Sequence, residues 1–113
     1  MAIERIEDLD DPRLEDYVHL RGPSRRMAVE QARGIFTVEG RLSVEALLVS
    51  RYPARSLLVA EEHVERVASR LVTGVPVLTL PRTAMAQVTG VNFHRGVLAV
   101  GERLPLPPVD ELV

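Results

Sequence analysis
Two runs of side chains constrain this chain more than anything else in it. Leu57-Leu58-Val59-Ala60, headed by Ser56, and Val97-Leu98-Ala99-Val100 are continuously apolar. A strand with one face in water alternates polar and apolar residues, so an unbroken apolar run needs cover on both faces. The residues after the first run can supply it. Positions 61–71 bring Val64, Val67, Ala68 and Leu71 to one helical face, with Glu61 and Glu62 at the start and Arg66 and Arg70 toward the end, the polarity that the helix macrodipole favours.

The same alternation runs through most of the chain. Ile35-Phe36-Thr37-Val38-Glu39 is β-branched and aromatic and stops at Gly40, which predicts a strand and a turn. Positions 43–51 then carry Val44, Leu47 and Leu48 at helical spacing. A third unit follows Gly74, with Val75-Pro76-Val77-Leu78-Thr79 as strand, Pro76 marking its start or an edge, and 83–88 as a short helix. Val97 to Val100 is the last strand. Upstream, Asp10 or Asp11 before Pro12 forms an N-cap signal, with Leu14, Tyr17, Val18 and Leu20 as the apolar stripe of a helix that Gly22-Pro23 ends. Ser24 can cap a second helix over 25–33, with Met27, Val29 and Ala32 apolar and Gly34 closing it. The sum is an α/β chain with a mainly parallel sheet of about four strands, covered on both faces, behind N-terminal helices.

At 113 residues this is one domain's worth of chain. The absence of cysteine removes disulfides, thiolate metal sites and thiol nucleophiles. No apolar run is long enough to span a membrane and the acidic N-terminus lacks a leader's apolar region, so a cytoplasmic protein without membrane contact is expected. The net charge of −2 argues against a general nucleic-acid-coating protein. That charge is unevenly spread: residues 1–20 carry −5, residues 21–55 carry +4 and the remainder −1. All fourteen basic residues are arginine, which base composition explains as readily as function does.

No catalytic machinery is recognisable. His19, His63 and His94 are too scattered to suggest a metal site, and no nucleophile elbow, phosphate-binding loop or dinucleotide fingerprint occurs. Two loops do carry chemistry. Phe36-Thr37-Val38-Glu39-Gly40-Arg41 sets a carboxylate, a glycine and a guanidinium at the end of the first apolar strand, where open parallel sheets bind ligands; it also reads as a plain strand-to-helix turn. Asn92-Phe93-His94-Arg95 combines an aromatic ring that can stack on a base, an arginine for phosphate, and an amide and imidazole for a base edge or 2′-hydroxyl. Equally, Phe93 can pack inward and His94 satisfy a carbonyl. Arg25 and Arg26, with Arg21, Arg33 and Arg41, make the basic segment, either a solvated face or a phosphate-binding patch if it shares a face with Arg95.

Taken together, Phe36-x-x-Glu39-Gly40 opening one β-α unit and Thr89-Gly90-x-x-x-His94-x-Gly96-Val97-Leu98-Ala99 closing the last resemble the N-terminal substrate-binding domain of the SpoU/TrmH-family RNA 2′-O-ribose methyltransferases. The resemblance implies a three-layer α/β/α sandwich of the L30e/L7Ae-like kind over 35–103, gripping rRNA or tRNA, with no DNA expected. It places Glu39, Gly40 and Arg41, and Asn92, His94, Arg95 and Gly96, in two loops toward one sheet edge; Arg25 and Arg26 of the basic segment are expected as further RNA contacts. Residues 1–34, outside the match, read as a helical extension, while the resemblance extends to the proline-rich tail over 104–113 as a linker to a separate knotted catalytic domain. That domain would bind S-adenosylmethionine and form the homodimer. No cofactor and no catalytic residue is expected within these 113 residues. Two alternatives stay open: a stand-alone structural RNA binder of the kink-turn type, and a protein-interaction or dimerisation module.

Overall fold
The computed structural model describes residues 3–70, 74–91 and 96–104, with the backbone alone for 68–70. Five strands form one mixed sheet: β1 (Ile3–Arg5), β2 (Ile35–Glu39), β3 (Ala54–Ala60), β4 (Val77–Leu80) and β5 (Val97–Glu102), in the order β1-β4-β3-β5-β2. Four helices accompany them: α1 (Pro23–Arg33), α2 (Arg41–Leu48), α3 (Val64–Arg70) and α4 (Arg82–Thr89). Short 3-10 turns occupy Pro12–Tyr17 and Glu61–His63.

The two apolar runs are the interior of the sheet. β3 and β5 lie side by side, with Leu57 opposite Ala99 and Leu58 opposite Leu98, and none of these four is accessible to solvent. Their alternating side chains feed two separate cores. Leu58, Ala60, Leu98 and Val100 pack with Leu14, Tyr17 and Met85, under the first 3-10 turn and α4. Leu57, Val59, Val97 and Ala99 pack with Val44, Leu47 and Val67, under α2 and α3. A layer on each face of the sheet is what the expected α/β/α sandwich requires.

Three features differ from expectation. The sheet has five strands, because the acidic N-terminus contributes β1, parallel to β4 with Glu4 opposite Leu78. The pairing is half parallel: β1/β4 and β3/β4 are parallel, whereas β5 runs antiparallel to both β3 and β2. Strand-helix alternation reports burial, not strand direction, so this was invisible to periodicity. The apolar stripe assigned to the second helix is not its buried side either. Met27 is 61% exposed and Ala32 is exposed, while Glu30 is the buried residue of α1.

Glu30 is buried because the sheet edge requires it. β2 is an edge strand, and Thr37 turns its backbone outward; the Thr37 N–H donates to Glu30 Oε2 at 3.0 Å and the Arg26 guanidinium donates to the Thr37 carbonyl at 3.0 Å. An unpaired edge residue is thereby satisfied on both groups. Gly34, left-handed at φ 67°, closes α1 with its N–H on Gln31 O, as read from the sequence. The helix begins two residues earlier than expected, at Pro23 after Gly22.

The helix expected from Pro12 to Leu20 is only the 3-10 turn Pro12–Tyr17, with Val18 exposed; Asp11 caps it as expected, its carboxylate accepting the Arg13 N–H at 2.9 Å, and the Arg13 guanidinium lowers that carboxyl's pKa to about 2. Its anchor is Tyr17, fully buried, whose hydroxyl reaches the Ser56 hydroxyl at 2.8 Å and donates toward Ser56 O at 3.1 Å. Burial pushes that phenol well above its ordinary range. His19, 2% exposed, follows with its Nε2 unpartnered; burial lowers its pKa below the ordinary 6.5, with Glu30 and Asp16 opposing that shift and Arg33 and Arg26 adding to it.

Two measurements test this arrangement. Tyr17→Phe should cost about 1–2 kcal/mol in urea unfolding with an unchanged m value, since it strands the Ser56 hydroxyl without emptying the core; an unaltered midpoint contradicts the anchor. A histidine whose folded pKa is depressed gives stability that is complete above the unfolded value and lost as pH falls through it. Stability should therefore drop below about pH 6.5 with a His19-dependent slope no steeper than about 1.4 kcal/mol per pH unit, absent in His19→Leu.

Candidate functional site
The antiparallel course of β5 is what joins the two motif loops. β2 ends where β5 begins, with Glu39 opposite Leu98, and the Gly40 N–H donates to Val97 O at 2.9 Å. On the other side of β5, the Ala60 N–H donates to Gly96 O at 2.8 Å. Because β3 and β4 are parallel, their C-terminal ends reach the same end of the sheet. One rim therefore carries Glu39-Gly40-Arg41, Gly96, the Glu61–His63 turn, and Pro81-Arg82.

Both glycines answer to geometry. Gly40 sits at φ 90° and ψ 152° as the N-cap of α2, buried, so its N–H is spent on the sheet and Arg41 starts the helix. Gly96 lies at φ 63°, and a Cβ there would stand 2.8 Å from His63 Cδ2 and 3.1 Å from Ala60 Cβ. Thr89, fully buried, ties off the end of α4: its Oγ1 lies 2.8 Å from Met85 O and 3.0 Å from Val91 O and accepts the Val91 N–H at 3.2 Å. The Thr89-Gly90 pair thus serves to turn the chain out of α4, Gly90 being left-handed at φ 74°.

The expected site residues fare differently. Glu39 is exposed at the strand end. Arg41 is half-buried, 3.8 Å from Glu45 one helical turn on. Arg26 is engaged with Thr37 O and Glu30, within the fold. Arg25 is exposed and carries no ion pair among the described residues. Asn92, His94 and Arg95 lie outside the described residues. Gly90 and Gly96 bracket that segment.

A link the motifs did not announce comes from Arg21. A Cβ on Gly90 would stand 2.8 Å from Arg21 Cβ and 3.0 Å from its Cδ, so the Arg21 side chain lies across the base of the 89–96 loop. Arg21 is exposed and, like Arg25, has no carboxylate partner among the described residues. α1 runs antiparallel beside β2: Arg33 at its end pairs with Asp16 at 3.2 Å, near Arg55 and Glu102 at the far end of the sheet, whereas Arg26 has already reached Thr37 in mid-strand. Its first turn is thereby carried toward the rim of Gly40 and Gly96.

The rim holds a second cluster that sequence reasoning passed over. Arg82 Nε is 2.7 Å from Glu62 Oε1, Arg82 Nη2 lies 3.2 Å from His63 Nε2, and Arg5 Nε is 3.1 Å from Glu61. These residues immediately follow the C-terminal ends of parallel strands or end one, and applying the strand-end rule to all three strands would have found them. Among the described residues, no group of three or more histidines and carboxylates is placed to hold a metal, and no helix is long and apolar enough to cross a membrane.

These features define a five-stranded α/β/α domain with glycine-governed loops meeting at one sheet rim. No protein-family model matches the chain. It is 31% identical over 114 residues to an uncharacterized tRNA/rRNA methyltransferase of Mycobacterium bovis, and equally to one of Mycobacterium tuberculosis; each alignment takes in 100% of this chain and 40% of the relative. The chain thus spans two fifths of the length of these curated relatives. Its fold is shared with an rRNA methyltransferase from Sinorhizobium meliloti (TM-score 0.66, 20% identity, 95% of this chain and 39% of that one). It is also shared with the SpoU methyltransferase AviRb from Streptomyces viridochromogenes, solved with AdoMet (0.56, 16%, 89% and 36%). The resemblance carried by the Phe36–Gly40 and Thr89–Ala99 motifs stands: both comparisons return RNA methyltransferases, and one of the shared folds is a SpoU enzyme.

Gly96→Ala tests the rim. With φ in the left-handed region and His63 in the way, the variant should lose about 1–3 kcal/mol in denaturant unfolding, and the His63 ring signals should shift in NMR spectra. A variant as stable as the parent contradicts the contact.

Proposed function
We propose that this chain is the RNA-recognition domain of an S-adenosylmethionine-dependent RNA 2′-O-ribose methyltransferase, taking rRNA or tRNA as its ligand. The observation that carries the reading is the meeting of the two motif loops at one rim, through Gly40 N–H on Val97 O, with Arg21 lying over Gly90 beside them. A rim of this kind offers backbone turns, an exposed carboxylate and exposed guanidinium groups to a folded RNA. In this proposal Arg21 and Arg25 meet phosphates, Arg41 and Arg95 add to them, and Asn92 and His94 read an unpaired base or a ribose hydroxyl. Arg26 and Glu39 act indirectly, through the edge of β2 and the turn after it.

Residues 35–103 form the recognition unit and 104–113 the linker to the catalytic part. That part holds S-adenosylmethionine, performs methyl transfer and makes the homodimer, in the cytoplasm where such RNAs reside. The relatives support this by their names and by being longer than this chain. With a net charge of −2, the domain alone binds weakly and with strong salt dependence.

Fluorescence anisotropy with labelled rRNA and tRNA fragments at several salt concentrations tests the proposal. Arg21→Ala with Arg25→Ala should weaken binding across sequences and reduce the slope of log affinity against log salt by about one per phosphate contact removed. Arg33→Ala, whose guanidinium is tied to Asp16 at the opposite end, should leave both unchanged. Equal affinity of all three proteins sinks the reading, and a dimer indifferent to RNA would identify an association module instead.

A further inference from the structure
On the face of the sheet covered by α2, an open groove of about 530 Å³ lies between that helix and β2. Phe36 and Val38 form its floor, Ser43 and Leu47 one wall, and Tyr52 and Arg103 its end. The Phe36 ring lies down in it because its cross-strand partner is Gly101, where a Cβ would stand 2.5 Å from Phe36 Cζ. Tyr52 meets Phe36 edge-on, with ring centroids 5.4 Å apart. The groove is therefore aromatic and apolar, edged by hydroxyl and guanidinium donors.

Arg103 both lines this groove and delivers the chain to it. Its N–H donates to Gly34 O at 2.8 Å and its Nε to Ile35 O at 3.2 Å, fixing the last residue before the proline-rich tail at the groove's end. Leu104 follows, 37% exposed, and then Pro105-Leu106-Pro107-Pro108, outside the described residues. Such a sequence favours polyproline II, which advances about 3.1 Å per residue, so five residues in that conformation would reach roughly 15 Å. The α2 wall from Ser43 to Leu48 rises about 8 Å at 1.5 Å per residue, well within that reach.

We propose that this groove is the seat of the chain's own segment 104–108, with the Leu106 side chain set down on the Phe36–Tyr52 pair. The chemistry favours this occupant over a separate partner. Proline-rich segments dock in aromatic-lined grooves because their conformation is already set before binding. Three of the five residues are proline and bring no N–H to be desolvated, so apart from the two leucine N–H groups only carbonyls need partners, and the Ser43 hydroxyl, the Tyr52 hydroxyl and the Arg103 guanidinium are the donors at hand. Tethering at Arg103 also gives the segment a local concentration that a free partner lacks. The docked tail would leave the domain in one direction rather than many, fixing where whatever follows it stands.

The chain has no cysteine, so Val109→Cys accepts a single nitroxide label on the full 113-residue protein. Paramagnetic broadening should then remove most of the amide intensity of Val38, Ser43, Leu47 and Tyr52, and spare β1 and β4. Adding Leu106→Asp should restore that intensity while the rest of the spectrum stays dispersed. Uniform or absent broadening overturns the proposal, as does broadening insensitive to Leu106→Asp. Broadening of an isotope-labelled, spin-free copy mixed with spin-labelled protein would also overturn it, by assigning the groove to a second molecule.

Discussion
The position of β5 governs this fold. It lies between β3 and β2, runs against both, and buries Val97 through Val100 at no more than 4% exposure. Fully burying a Val or Leu side chain yields about 1.5–3 kcal/mol, and that gain is available only if both faces are covered. Hence α2 and α3 on one side, and α4 with the first 3-10 turn on the other. The direction of β5 matters as much as its burial. A parallel β5 would have started at the opposite end, separating the Gly40 turn from the Gly96 loop by a strand's length. Run antiparallel, it hydrogen-bonds one to the other through Val97 and makes a rim out of two distant stretches of sequence.

Charge is sorted along the same axis. Several of the acidic N-terminal residues are paired with arginines away from the rim. Asp16 lies between Arg33 and Arg55, Arg55 reaches on to Glu102, and Arg13 is shared by Asp11 and Glu4. Each exposed pair contributes little to stability, on the order of 0–1 kcal/mol. Their larger effect is subtraction: the basic segment of 21–55 is no uniform patch, and among the described residues Arg21 and Arg25 are exposed members of it without an ion pair. Net charge alone hides this.

The sequence made the layers legible because they rest on composition within short runs. β2 was read over its full length, and β3, β4 and β5 were found within a few residues, since unbroken apolar stretches have few other uses. β1 was missed for the converse reason: Ile3-Glu4-Arg5 is three residues with two charges, and only the neighbouring β4 makes it a strand. α1 was recognised as a helix but turned the wrong way, because hydrophobic patterning assumes that helices bury apolar side chains. At this edge the buried requirement is polar. Of the candidate site, the two loops were visible as glycines beside charged residues, while Arg21 over Gly90 and the Glu62-His63-Arg82 cluster depend on tertiary approach that no spacing encodes.

The clasp on Thr37 connects these observations. Glu30 and Arg26 are one helical turn apart, 3.4 Å from each other, and each takes one backbone group of the same residue. Geometry of that kind fixes α1 in both register and rotation against β2, since sliding by one residue would strand a buried carboxylate and two backbone groups at once. α1 has almost no apolar burial to hold it otherwise. Arg25 adjoins Arg26 of the clasp and Arg21 lies just ahead of α1, so their placement is inherited from a polar contact at the sheet edge. In this domain the arginine that binds the fold decides where Arg21 and Arg25 can stand.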